Sequence, residues 1–226
     1  MGPRAIEISS EVFQVGGRGL TAPEDAAIYL LTAGADAALI DAGCGRATDL
    51  LLANIEAAGV AADRIRWLLL THCHFDHTGG AEEVRRRLGC ISVAHELDAG
   101  FIETGDAEVS AASWYDSRLT PCPIDRKLRG PRERLLLGES TIEAIHIPGH
   151  SPGSVAFLFE SEGRRILFGQ DVHGPLAASL HSNAAEYQQS LQTLLALEAD
   201  ILCEGHYGVF RGRQEVAGFI RRFVEP

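Results

Sequence analysis

The residues with the clearest chemical potential are the histidines and the aspartate of segment 72–77, which reads HCHFDH. Three histidines and one aspartate fall within these six residues, in a chain that has nine histidines in total. Neutral imidazoles and a carboxylate suit Zn²⁺, Fe or Mn²⁺ as ligands. A solvated polar turn with chance histidines is the alternative, but so dense a grouping favours a metal-binding loop.

Three further residues, His150, Asp171 and His206, stand in a similar setting. Each follows a predicted strand and has glycine close by, which lets the backbone pass near a bound ion. Each taken alone is more typical of an ordinary loop residue. Together with segment 72–77 they predict a set of ligands that comes from four strand ends.

These motifs resemble those of the metallo-β-lactamase superfamily. The resemblance rests on THxHxDHxGG at 71–80, PGHSPGS at 148–154, GxD at 169–171 and GH at 205–206, and it extends over about residues 6–224. It implies an α/β fold, an αββα four-layer sandwich with the site at one edge of the two sheets. It also implies two metal sites with a bridging residue: His72, His74 and His150 in the first, Asp76, His77 and His206 in the second, and Asp171 as the bridge.

The resemblance also implies a reaction. Two divalent ions about 3.5–4 Å apart share a water and generate a hydroxide that attacks a carbonyl or phosphoryl group, so that no serine or cysteine nucleophile is needed. Zn²⁺ is the expected metal, with Fe and Mn as alternatives. Asp76, close to the bridging water in this fold, is a candidate for proton transfer. Tyr207, beside a predicted ligand, is a second catalytic candidate as a hydroxyl donor to an oxyanion, with simple packing as the alternative.

The superfamily pattern also has an aspartate that braces the first ligand loop. Asp41, which follows the apolar residues 38–40, matches this position. An aspartate that merely ends a strand and begins a turn is an equal alternative.

The remaining sequence predicts the elements that must position these residues. Short β-rich runs fill the first forty residues, and the continuous apolar run 65–70 is typical of a strand buried on both faces. Helices are predicted over 46–58, 81–88, 184–197 and 213–223, and strands resume after residue 135. Two β-rich halves, each followed by helices, predict two sheets packed face to face with helices outside, in one domain over residues 1–226.

Residues 96–133 interrupt this pattern. They contain several glycines and prolines and predict a lid-like excursion with short helices. Trp114 and Tyr115, the only adjacent aromatic pair, either line an acyl-binding wall or form the core of the lid.

Other reactive residue types fit ordinary roles. Cys73 and Cys203 are expected to pack rather than to bind metal, and His146 alternates with isoleucines on a predicted strand. His95 is expected at the surface or in a loop. His173, two residues beyond the predicted bridging aspartate, either contacts substrate or is an ordinary loop residue.

Composition limits the partners. The chain has 20 basic and 31 acidic residues, and its net charge of −11 is not that of a protein with a generally basic surface for binding nucleic acid or an anionic membrane. No stretch approaches the ~18 consecutive apolar residues of a membrane span, and the N-terminal segment lacks the apolar run of a signal peptide. The five cysteines include no CxxC pair. A cytoplasmic protein with a small-molecule substrate is therefore expected, and a homodimer is left open.

The expected function is hydrolysis of a small ester, thioester or lactone, on the glyoxalase II-like or lactonase-like side of the superfamily. Only 20 residues follow His206, too few for the helical domain with which hydroxyacylglutathione hydrolases bind glutathione. The absence of a cysteine ligand disfavours secreted β-lactamases, and the presence of His206 disfavours persulfide dioxygenases. The alternatives are an iron-dependent redox enzyme (dioxygenase or flavodiiron-like), a nuclease or phosphodiesterase, and a non-catalytic binding protein on the same fold.

Overall fold

The computed structural model describes residues 2–225. It contains two mixed β-sheets. In the first, seven strands follow one another in chain order: β1 (Ile6–Ser9), β2 (Val12–Gly16), β3 (Ile28–Ala33), β4 (Asp36–Ile40), β5 (Ile65–Leu69), β6 (Ile91–His95) and β7 (Arg126–Leu128). The second sheet has six strands, which also neighbour one another in chain order: β8 (Arg132–Leu137), β9 (Ser140–His146), β10 (Val155–Ser161), β11 (Arg164–Gln170), β12 (Ile201–Glu204) and β13 (Gly208–Arg211).

Helices cover the outer faces of both sheets. Across residues 2–225 there are six α-helices: α1 (Thr48–Ala57), α2 (Phe75–Thr78), α3 (Ala81–Leu88), α4 (Glu96–Thr104), α5 (Ala184–Ala196) and α6 (Arg213–Arg221). Apolar side chains of α1, α3 and α4 pack on the first sheet, and those of α5 and α6 pack on the second. None of the helices within this range is long and apolar enough to cross a membrane.

The central strands are buried on both faces, which explains their continuous apolar runs. In β3, Tyr29 and Leu31 belong to the core between the sheets, whereas Ile28 and Leu30 pack against the helices. Phe168 of β11 reaches the same inter-sheet core, and its ring centroid lies 5.4 Å from that of Tyr29. The order of the layers is therefore helix, sheet, sheet, helix, and the predicted αββα sandwich is confirmed.

The ends of the parallel strands position the polar residues of interest. β4 and β5 pair in parallel in the first sheet, and β11 and β12 pair in parallel in the second. The loops after β5, β9, β11 and β12 carry the predicted metal ligands. Because parallel strands end at a common edge, these loops meet at one edge of the sandwich.

The predicted lid at 96–133 is shorter than expected. The structure assigns its beginning to α4, and its end to β7 and the first residues of β8. β7 pairs in parallel with β6, Val93 opposite Arg126, and so extends the first sheet. With only three residues, two of them positively charged, β7 is too short and too polar to be recognised as a strand from the sequence. Residues 105–125, with a 3₁₀ turn at Ala112–Tyr115, remain as the excursion.

Candidate metal centre

The loop after β5 is braced by Asp41, which is fully buried at the end of β4. Its carboxylate accepts hydrogen bonds from the Thr71 backbone N–H at 2.9 Å, the Thr71 hydroxyl at 2.8 Å and Nδ1 of His77 at 2.6 Å. Asp41 adopts a left-handed φ of 63°, a conformation that aspartate tolerates better than most residues. The structure therefore places Asp41 in the bracing position rather than in a simple turn.

The same loop contains the one-turn helix α2, which presents Asp76 and His77. The helix is closed by Thr78, whose hydroxyl donates to the carbonyl oxygens of Cys73 and His74 at 3.1 and 2.9 Å. The glycines that follow permit a close backbone approach, since a Cβ on Gly80 would lie 2.5 Å from a carbonyl oxygen of the preceding loop. This approach explains why the THxHxDH segment ends in two glycines.

Three buried imidazoles form the first group of candidate ligands: His72, His74 and His150. Their ring centroids lie 4.5 to 4.8 Å apart, and the Nε2 atom of each is buried without a hydrogen-bond partner. Burial lowers the pKa of His74 to about 3 and that of His72 well below its ordinary value. Both rings are therefore neutral at physiological pH and offer a lone pair.

The second group combines a carboxylate with two imidazoles: Asp76, His77 and His206. Oδ2 of Asp76 lies 3.2 Å from Nε2 of His206 and 3.7 Å from Nε2 of His77. Burial alone would lower the pKa of His206, but the neighbouring carboxylates of Asp171 and Asp76 raise it to about 10. The pKa of His77 is also raised, because three neighbouring carboxylates outweigh its burial.

Asp171 lies between the two groups and faces both. Its Oδ2 is 3.4 Å from Nε2 of His150 and 3.9 Å from Nε2 of His72. Its Oδ1 is 3.2 Å from Nε2 of His77 and 3.3 Å from Nε2 of His206. One carboxylate therefore directs a different oxygen to each group, which is the arrangement that a bridging ligand needs.

The donor set fits divalent cations. Within this cluster, five buried atoms have no hydrogen-bond partner: the Nε2 atoms of His72, His74, His77 and His150, and Oδ1 of Asp171. A buried polar atom without a partner costs about 1–3 kcal/mol, so five such atoms in one place are costly unless a ligand satisfies them. Imidazole and carboxylate donors are those that Zn²⁺, Fe and Mn²⁺ accept. The structure thus brings all seven predicted ligands together in two adjacent groups: His72, His74, His150 and Asp171, and Asp76, His77 and His206.

The predicted aromatic residues occupy different positions at this site. Tyr207 is 61 % exposed at the rim, with its ring 5.0 Å from that of His173. Tyr115 packs on Phe75 at 5.4 Å, and burial together with nearby Asp76 raises the pKa of its phenol. The two lid residues are therefore not equivalent, because Trp114 is 57 % exposed while Tyr115 approaches the ligands.

One positioning residue that the sequence did not reveal is Asp98 in α4. It is fully buried and accepts hydrogen bonds from the Cys73 N–H at 2.9 Å, the Ser151 hydroxyl at 2.6 Å and the Gly153 N–H at 2.6 Å. It thereby ties the two ligand-bearing loops together. One feature of the sequence could have indicated this role. Asp98 stands one helical turn before the apolar Ile102, so the helix carries a charged residue on its buried face.

The chain belongs to the metallo-β-lactamase superfamily. The model of this family matches residues 22–206. A hydroxyacylglutathione hydrolase from Anaeromyxobacter dehalogenans is 41 % identical over 138 residues, which are 61 % of this chain and 43 % of that protein. The acyl-coenzyme A thioesterase MBLAC2 of Gallus gallus is 29 % identical over 90 % of this chain and 80 % of its own length.

Solved structures share the fold. BJP-1, a subclass B3 metallo-β-lactamase of Bradyrhizobium japonicum, superposes with a TM-score of 0.79 over 98 % of this chain and 91 % of that one, at 23 % identity. At that identity the likeness concerns the fold alone. The chain spans about half the length of most of the curated relatives it matches. The chain is thus a member of a metallo-hydrolase superfamily, and the His and Asp groups described above are its candidate metal ligands.

Proposed function

We propose that the chain is a binuclear metal-dependent hydrolase that cleaves small thioesters, with esters and lactones as related substrates. The observation that carries the proposal is Asp171, whose Oδ2 faces the buried imidazoles of the first group and whose Oδ1 faces His77 and His206 of the second. The preference for thioesters is supported by relatives that are named as hydroxyacylglutathione hydrolase, ACP thioesterase and acyl-coenzyme A thioesterase.

The two groups would hold one divalent ion each, with Asp171 shared between them. Such ions supply Lewis acidity, which activates water for attack near neutral pH and polarises the substrate carbonyl. Asp76 lines the cavity beside them and is a carboxylate whose pKa is held low by His77 and His206 despite its burial. It is therefore able to accept a proton there or to orient the attacking water through a hydrogen bond.

The cavity beside these groups suits a small acyl chain. Its volume is about 200 Å³, below the roughly 300–1,000 Å³ of sites for drug-sized ligands. Besides the candidate ligands, its lining includes the apolar surfaces of Ala111, Trp114, Pro175 and Leu180. An acyl group of a few carbons would bury its apolar surface here with its carbonyl at the ligand groups.

A larger, polar groove adjoins this cavity and suits the thiol-bearing half of the substrate. It has a volume of about 640 Å³, and its lining includes Gln14, Arg18 and Tyr207. Tyr115 and His206 line both the groove and the cavity, so the two spaces meet at the ligand groups. Exposed Arg18 supplies one positive charge in this groove, whose lining also includes the acidic residues Glu24 and Asp25.

Neither cysteine near the site is suited to act as a nucleophile. Cys73 is completely buried, and burial raises the pKa of its thiol well above the ordinary value. Cys203 is completely buried in the core between the sheets. Because reactive cysteines need exposure and a lowered pKa, direct attack by water is the better-supported route.

The proposal is tested by comparing a short-chain acyl thioester with the oxygen ester of the same acyl group and with a lactone of similar size. The metal-loaded enzyme is assayed with each, and hydrolysis is followed by titration of the carboxylic acid that all three substrates release, with thiol release as a second readout for the thioester. We expect kcat/KM to be highest for the thioester and to fall to background after chelation, with recovery when metal is returned.

Two results would overturn this assignment. A lactone or phosphodiester turned over faster than the thioester would reject the substrate class. Substrate-dependent oxygen consumption by the iron-loaded protein, without hydrolysis, would support the redox alternative instead. Cys73→Ser serves as the matched test of the water route and should retain most of the activity.

A further inference from the structure

Glu204, at the end of β12, is a buried carboxylate outside the seven candidate ligands. It is completely buried, which is costly for a charged group unless hydrogen bonds satisfy it. Its Oε2 accepts the backbone N–H groups of His206 and Tyr207 at 2.7 and 2.8 Å. Its Oε1 lies 2.7 Å from Nδ1 of His173. Glu204 thus joins the loop that carries His206 to the loop that follows Asp171.

This contact fixes the orientation of the His173 ring. A carboxylate oxygen can only accept a hydrogen bond, so Nδ1 of His173 is the donor. In the neutral ring the lone pair then lies on Nε2. The side chain of His173 is 16 % exposed and lines the same cavity as Asp76 and Asp171.

The same anchoring is found for imidazoles of the metal centre. Nδ1 of His77 is held by the Asp41 carboxylate at 2.6 Å, and Nδ1 of His150 is held by the Pro175 carbonyl oxygen at 2.9 Å. Metal-binding histidines almost always donate their other ring N–H to a carboxylate or carbonyl in this way. His173 therefore carries the hydrogen-bond signature of a ligand, which the sequence motifs do not assign to it.

His173 is also close enough to the second group to join it. One ligand atom from each of His173, Asp171 and His206 lies within 4.8 Å of the other two. The rings of His173 and His206 are 5.2 Å apart in an edge-on arrangement. Oδ1 of Asp171, on this side of the cluster, is buried without a hydrogen-bond partner.

We propose that His173 is an additional ligand of the second metal ion and that Glu204 holds it in place for that role. The inference rests on the proposed function in one respect, because it requires a centre that takes up two ions. It adds a second protein ligand from the loop after β11, beside the bridging Asp171, to those that α2 and the loop after β12 contribute.

The test is a stepwise titration of the chelator-treated protein with Co²⁺, followed by the ligand-field absorption of the bound ion. We expect His173→Ala to weaken the second equivalent by at least about 10-fold, since the loss of even an outer hydrogen-bond partner of a ligand costs about 10- to 100-fold, and to alter its spectrum. The first equivalent should bind as in the wild-type protein. His181→Ala, which removes an exposed histidine from the loop before α5, is the matched control and should change neither step.

Three further variants sharpen the test. His206→Ala should retain a weak second equivalent, because His173 still contributes, and the double variant His206→Ala/His173→Ala should lose it. Glu204→Gln should weaken the second equivalent in the same direction as His173→Ala, since an amide has only one oxygen with which to replace the two acceptors.

The outcomes separate this inference from the function on which it rests. If the wild-type protein binds two ions and His173→Ala binds both with unchanged affinity and spectrum, the inference is wrong and the binuclear proposal stands. A rise in KM alone in that variant would make His173 a substrate contact, which also overturns the inference. If the wild-type protein takes up one ion only, the binuclear function fails and the inference fails with it.

Discussion

The two halves of the metal centre are built from different chemistry. The first consists of buried imidazoles, and burial keeps the rings of His72 and His74 neutral. The second contains carboxylates, and its His206 side chain is 32 % exposed and has a pKa raised to about 10. A neutral imidazole binds metal without losing a proton, whereas a protonated one must first release it. The comparison predicts that the environment of the imidazoles, more than the type of ligand, decides which group takes up a metal ion first, with the first group ahead of the second.

The largest effect is expected from Asp171→Ala, because this residue contributes an oxygen to each half. Metal content should fall from two ions to fewer than one per chain. Activity should fall by more than the ~10- to 100-fold that the loss of an outer hydrogen-bond partner costs. Elemental analysis and the thioester assay measure the two effects. Asp49→Ala, a change at a side chain that is 90 % exposed, is the control and should leave both unchanged.

A matched pair of single-ligand variants separates the halves. His206→Ala should leave the first ion bound with wild-type affinity and weaken only the second. His72→Ala should weaken the first ion and, through the shared Asp171, the second as well. Calorimetric titration of both proteins checks this asymmetry. Equal losses of both ions in the two variants would mean that the halves are not separable.

The halves should also differ in their dependence on pH. The His206 pKa of about 10 lies above neutrality, so its proton must leave when the second ion binds. The dissociation constant of the second ion should therefore rise as pH falls from about 9 to about 6, by up to about tenfold per unit for each proton displaced. The first ion should change little over this range, because the His74 pKa is lowered to about 3. Parallel pH profiles for the two ions would contradict the comparison.

The smallest effect is expected from the lid, which lies outside both halves. Trp114→Ala should lower kcat/KM for a thioester by about 10-fold, at the lower end of the ~1–3 kcal/mol of an apolar pocket contact, because Trp114 is 57 % exposed. Metal binding should not change. A lower melting temperature with unaltered substrate preference would show Trp114 to be a packing residue of the lid.

The grouping of the candidate ligands could be predicted from the sequence because its parts are local. His72, His74, Asp76 and His77 stand in one short segment, and the other three candidates follow strands whose ends meet at one edge. The β-rich runs and the helical spacing of apolar residues likewise predicted the two sheets and their covering helices. Such short-range patterns predict the fold well because each helix or strand buries the face on which its apolar residues recur.

The supporting contacts could not be predicted in the same way. Glu204, the last residue of β12, and His173 are 31 positions apart in the chain, and their hydrogen bond leaves no periodic signature in the sequence. His95 was expected at the surface, but it is buried at the end of β6 and stacks on His146 with ring centroids 3.9 Å apart. Such contacts depend on which loops the sandwich brings together, so they become visible only in the fold.

The central claim is that Asp171 joins two metal sites, and anomalous diffraction from crystals of the metal-loaded protein tests it most directly. Data collected at the absorption edge of the bound metal should show two peaks per chain about 3.5–4 Å apart, one beside each oxygen of Asp171. A single fully occupied peak, from crystals soaked in excess metal, would contradict the account.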